Sequence, residues 1–184
     1  MTGPIEVWTG IYQIGGPSIT NSNDCCIYLV DAETELIIID SGTGGTFEQL
    51  IENIQRLGLN PEKLSTAIAT HGHIDHIGAL HEFKERYQVD VMAHEPDDEW
   101  IETGRNTVAE AYNTDYHPCE VDVKVTAEEE TKTFGKHEIT LLHIPGHTPG
   151  SMACYLDIKG RRVLFGQDIH GPYNLPGGNR REAR

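Results

Sequence analysis

Basic residues are scarce in this chain. Its 184 residues hold 14 Lys and Arg against 29 Asp and Glu, a formal net charge of -15. A surface this acidic repels phosphate backbones and anionic headgroups, so the expected partner is a small-molecule substrate, with no nucleic acid and no membrane. Long apolar runs are missing too: no window approaches the roughly 20 residues that span a bilayer. The start, "MTGPIEVWTGIYQIGG", has neither the basic opening nor the apolar stretch of a secretory signal. Cysteine is sparse: Cys25, Cys26, Cys119 and Cys154 show no CxxC spacing. Neighbours such as Cys25 and Cys26 have poor geometry for a mutual disulfide. Reduced thiols and a cytoplasmic location are the expectation.

The length suits one domain over residues 1–184, with a sizeable core. Strands dominate the start. "VWTGIYQIG" and "CCIYLVDAETELIIIDSG" read as two hairpins rich in Ile, Val and Tyr, the second turning at Ala32–Thr34. In "TFEQLIENIQRLGL", Phe47, Leu50, Ile51, Ile54 and Leu57 fall on one helical face, and Gly58 ends the helix. "LSTAIAT" is a short buried strand, "HIGALHEFKERYQ" a second helix and "VDVMAH" a further strand. Residues 96 to 118 read as a short helix and a surface loop near a substrate. Then come five more strands, in "VDVKV", "TKTFG", "HEITLLHIPG", "SMACYLDI" and "RRVLFGQDI". Met92 and Met152 are expected in the core, and the acid run Glu128–Glu130 in a solvated turn. The tail, about residues 171–184, is rich in Gly, Pro and Arg and is expected to be irregular.

One segment carries unusual chemistry. "THGHIDHIGAL" crowds His71, His73, Asp75 and His76 together. At the end of an extended segment the side chains at i and i+2 point the same way, so His71 and His73 can reach one metal. Asp75 and His76 follow where the chain turns into a helix, and can reach a second. Neutral imidazole and carboxylate suit zinc, iron or manganese. Two later places offer further ligands. "IPGHTPGS" presents His147 on a Gly/Pro-flanked turn, and "LFGQDIHGP" ends an apolar strand near Asp168, where α/β folds place ligands.

"IIIDSG", "THGHIDH", "PGHTPGS" and "LFGQD", in that order over nearly the whole chain, resemble the metallo-β-lactamase-fold superfamily. The resemblance implies an α/β fold, a four-layer αββα sandwich with a metal site at one edge between two sheets. It implies that His71, His73 and His147 bind a first metal, Asp75 and His76 a second, and that Asp168 bridges them. Asp40 would orient the ligand loop. The family usually offers one more histidine near its C-terminus. Here Arg184 lies 16 residues beyond Asp168, and His170 is too close to Asp168 for that role. The second site is therefore expected to be open, and the last elements of the sandwich to be missing. Apolar surface left uncovered there implies a homo-oligomer.

Class B β-lactamases generally carry Cys where this chain has Asp168, which disfavours antibiotic hydrolysis. The pattern is closer to glyoxalase II-like thioesterases. It implies a hydrolase holding one or two zinc ions, with an activated hydroxide attacking a thioester or lactone carbonyl and Asp75 as the catalytic carboxylate. The alternatives are an iron persulfide dioxygenase-like oxidoreductase using His71, His147 and Asp168, and a metal-binding protein without turnover. A nuclease of the superfamily sits poorly with the acidic surface. His143 and His94 are expected to pack structurally, His81 to face solvent or a neighbour, and Tyr116 and His117 to lie in a solvated loop.

Overall fold

The computed structural model describes residues 2–172 together with Gly178 and Asn179. Both hairpins form: β1 (Ile5–Trp8) with β2 (Ile11–Gly15), and β3 (Ile27–Asp31) with β4 (Leu36–Ile39). From β4 the larger sheet continues in parallel through β5 (Leu64–Ile68), β6 (Asp90–His94) and β7 (Val123–Val125). Its seven strands thus lie in chain order. The smaller sheet is antiparallel, in the order β11-β10-β9-β8, from β8 (Glu129–Phe134), β9 (His137–His143), β10 (Met152–Ile158) and β11 (Arg161–Phe165). Glu129 and Glu130 therefore open a strand, opposite Leu142 and Leu141, instead of lying in the expected turn.

Two apolar layers explain why β4 reads "LIII" with every residue buried. Successive strand side chains point to opposite faces. Leu36 and Ile38 enter a core beneath the helices, with Phe47, Leu50, Ile54 and Phe83. Ile37 and Ile39 enter the core between the sheets, with Ile139, Leu141, Met152, Cys154 and Phe165. The helical layer holds α1 (Phe47–Arg56) and, later in the chain, α3 (Leu80–Tyr87), joined by an edge-on contact of Phe47 and Phe83 at 4.9 Å between ring centroids. Helix, large sheet and small sheet make three of the four layers of an αββα sandwich. No helix covers the outer face of the small sheet among the described residues, and Leu164 there is 55% exposed. Most of the tail expected to be irregular lies outside the described residues.

The helix expected over "HIGALHEFKERYQ" is two helices. The short α2 (Ile74–Ile77) starts earlier and carries Asp75 and His76; α3 follows after Gly78 and Ala79. The break has a steric cause. Gly78 donates its N–H to the Gly42 carbonyl at 2.7 Å, and a Cβ there would lie 2.2 Å from the Thr43 carbonyl carbon. The two backbones touch, so neither side chain nor straight helix fits between them. After β6 comes α4 (Glu95–Thr103), then a single 3-10 turn at Ala109–Tyr112. No helix among the described residues is long and apolar enough to cross a membrane.

Candidate metal centre

The carboxyl ends of the parallel strands β4 and β5 open onto the site. β4 runs into Asp40 and Ser41, and β5 into Thr70, His71 and His73. His147 comes from the loop between β9 and β10, and Asp168 from the turn after β11. All six residues picked out by their spacing meet here. His73 Nδ1 lies 2.9 Å and His71 Nε2 3.2 Å from His147 Nε2. A second set adjoins them: His76 Nε2 is 3.5 Å from Asp75 Oδ2 and 3.7 Å from Asp168 Oδ2. Asp168 Oδ2 is also 3.2 Å from His147 Nε2 and 3.9 Å from His71 Nε2, so it stands between the two sets. The four imidazoles are buried, while the Asp168 side chain is 35% exposed. A cleft of about 650 Å³ reaches His71, His147 and Asp168 and is walled by Leu142, Leu164 and Ile169.

The residues beneath the site set its hydrogens. Asp40, fully buried, accepts from the Thr70 N–H at 2.8 Å, and its Oδ2 lies 2.8 Å from His76 Nδ1. An ionised carboxylate only accepts, so His76 Nδ1 carries a hydrogen, and Nε2 is the atom turned to Asp75 and Asp168. His147 Nδ1 donates to the Pro172 carbonyl at 2.6 Å, which leaves its Nε2 free to face His71 and His73. Gln167 also donates its side-chain N–H to Asp40.

The electrostatics divide the site in two. Burial, then repulsion by His76, His73 and His147, holds the His71 pKa well below its ordinary value. Burial and the His147 and His76 rings push His73 down to about 3. His71 and His73 therefore reject protons, and their site-facing nitrogens lie within 4.8 Å of each other and of the one on His147. His76 goes the other way. Burial disfavours its charge, but Cys25, Asp40, Asp75 and Asp168 outweigh burial and hold its pKa well above the ordinary value. That end of the site draws positive charge. Burial raises the Asp75 pKa against the pull of His76. For Asp168, burial is outweighed by His76, His147 and His73, which keep its carboxyl below the usual range. Converging azole lone pairs beside carboxylates are a donor set that fits divalent metal ions.

A family description, the metallo-β-lactamase superfamily, matches residues 23–176, a span that contains every one of these side chains. The chain belongs to the metallo-β-lactamase superfamily. It is 32% identical over 155 residues to the hydroxyacylglutathione hydrolase GloC of Haemophilus influenzae, covering 82% of this chain and 68% of GloC. It is 26% identical over 185 residues to the human acyl-coenzyme A thioesterase MBLAC2, covering 87% of this chain and 63% of that protein. A metallo-β-lactamase from Cronobacter sakazakii superposes with a TM-score of 0.82 over 99% of this chain and 70% of its own. At 21% identity that last likeness is one of fold.

Some residues of this superfamily member's site escaped the sequence reading. Tyr112, on the 3-10 turn, sets its phenol beside Asp75. Trp100 of α4 stacks on the His73 ring, with 6.1 Å between centroids and 26° between planes. Cys25 brings its thiol within 4.8 Å of the polar atoms of Asp40 and His76, two residues the sequence had already marked. The sequence has no signal for these contacts, because the partners come from separate loops. The histidines set aside lie apart from the two ligand sets. His94 is buried and stacks on His143 at 3.8 Å, and His143 donates to the Pro149 carbonyl. His81 faces the His117 ring at 5.6 Å.

Proposed function

We propose that this chain is a metal-dependent hydrolase of an ester-like bond, a thioester or a lactone. The observation that carries the reading is the place of Asp168, whose single Oδ2 atom lies within 3.7 Å of both His147 Nε2 and His76 Nε2. One carboxylate oxygen between a three-imidazole set and a set of His76 and Asp75 suits two neighbouring cations. His71, His73 and His147 would hold one ion, and Asp75, His76 and Asp168 a second, with zinc as the first choice and iron or manganese also compatible. When bound, such ions supply Lewis acidity and a water of lowered pKa.

The protein's own groups do the rest. Asp40 fixes the His76 tautomer through Nδ1. Asp75, partly buried beside Tyr112, is placed to accept a hydrogen bond from the attacking water and to keep it aimed at the carbonyl. Leu142, Leu164 and Ile169 give one side of the cleft an apolar surface for an acyl group to lie against. The acidic surface suits a small-molecule substrate. The named activities of GloC and MBLAC2, both thioester cleavages, support the thioester choice.

The test joins metal content to turnover. Protein purified without chelator is analysed for metals, then assayed on hydroxyacylglutathione, acyl-coenzyme A and lactone substrates beside His71→Ala. Zinc with turnover lost in His71→Ala is the expected result. A hydrolytic rate that survives His71→Ala overturns the assignment. A single iron with oxygen uptake on a glutathione persulfide replaces it with the dioxygenase-like alternative.

A further inference from the structure

The loops that carry His71, His73 and His147 belong to different halves of the chain, and one side chain fastens them together. Asp97, in the first turn of α4, is fully buried. Its Oδ2 accepts from the Gly72 N–H at 2.9 Å, between His71 and His73. The same oxygen accepts from the Thr148 hydroxyl at 2.6 Å, next to His147. Its Oδ1 accepts from the Gly150 N–H at 2.7 Å. Both glycines are at contact distance from α4. A Cβ on Gly150 would lie 2.7 Å from Asp97 Cγ, and one on Gly72 would lie 3.1 Å from Trp100 Cβ.

We propose that Asp97 is a positioning residue for the metal centre: it clamps the two ligand loops in register and so fixes the separation of His71, His73 and His147. An acid near a helix N-terminus ordinarily serves that terminus. Here all three of the short bonds at Asp97 leave its helix for the loops. Two of the bonds go to residues next to a ligand, Gly72 and Thr148, and the third goes to Gly150 in the same loop as His147, so a shift of the carboxylate moves the imidazoles with it. Trp100, one turn further along α4, stacks on the His73 ring and holds it from the same platform. Supporting groups of this kind change metal affinity by roughly 10- to 100-fold when removed. The inference rests on the metal-site reading above, and wild-type cobalt binding tests that reading separately.

The experiment is a cobalt(II) titration of the metal-stripped full chain, followed by visible absorption, for wild type, Asp97→Asn, Thr148→Val and Asp98→Asn. Asparagine keeps the size of Asp97 but puts an NH2 group against an N–H or O–H donor, so one loop is released. Asp97→Asn is expected to weaken cobalt binding about 10- to 100-fold and to alter the ligand-field spectrum of the tightly bound ion. Thr148→Val removes one bond of the clamp and is expected to show a smaller loss in the same direction. Asp98→Asn, which breaks an ion pair to Lys124 at 2.8 Å in the same helical turn, is the control and is expected to leave the spectrum unchanged. A folded Asp97→Asn with wild-type affinity and spectrum overturns the proposal. If Asp97→Asn does not fold, Thr148→Val decides, and wild-type affinity in that variant overturns it equally.

Discussion

Replacing Asp40 by Asn separates the chemistry under His76 from the shape of its loop. Asp40 has a left-handed backbone, with φ at 61°, which Asn tolerates and most residues do not. The amide oxygen can still accept from the Thr70 N–H. The NH2 group then takes the place of Oδ2, 2.8 Å from His76 Nδ1, where a donor now meets a donor. His76 escapes by keeping its hydrogen on Nε2 alone, and this removes the lone pair that a cation beside Asp75 and Asp168 would need. A buried hydrogen bond to a charged group contributes about 1.5–3 kcal/mol. At about 1.4 kcal/mol per decade, that corresponds to roughly 10- to 150-fold in affinity. Calorimetric titration of the metal-stripped protein with zinc is the assay. The expected outcome is that the equivalent bound through His76 weakens by that factor, while the one bound through His71, His73 and His147 changes little. Equal binding of both equivalents in Asp40→Asn and wild type would refute the tautomer reasoning, because the bond at Nδ1 would then have no hold on Nε2.

Metal removal should lower stability, since an ion bound to the folded state alone stabilises it by about 2.7 kcal/mol when present at 100 times its dissociation constant. For a chain of this size that is roughly 5–10 °C in Tm, and a melt unchanged by chelation would argue that no ion is bound. Gly78→Ala should cost about 1–3 kcal/mol or more in urea unfolding, since its Cβ would lie 2.2 Å from the Thr43 carbonyl carbon. Gly45→Ala, with nothing within 4 Å, is the matched control and should be close to neutral.

Much of the site was legible because its chemistry is local. His71, His73, Asp75 and His76 lie within one strand-to-helix turn, and their spacing alone brings them to one edge of the sheet. The apolar face of α1 and the all-apolar β4 were equally readable, since burial on one face or both leaves its period in the sequence. Asp97 was not legible. In "EPDDEW" it looks like any acid at a helix start, and neighbouring Asp98 has the same character yet pairs with Lys124. Only the packing of α4 against two distant loops tells them apart. The split of the second helix was hidden for a similar reason: Thr43 and Gly44, which press against Gly78, come from a separate loop. Residue types and short spacings determined which groups could bind a cation, because side-chain chemistry and local chain direction are properties of a few adjacent residues. Which nitrogen of each ring faces the site, and which carboxylate holds the loops, depend on hydrogen bonds between residues 25 to 53 positions apart, and only the tertiary structure decided those.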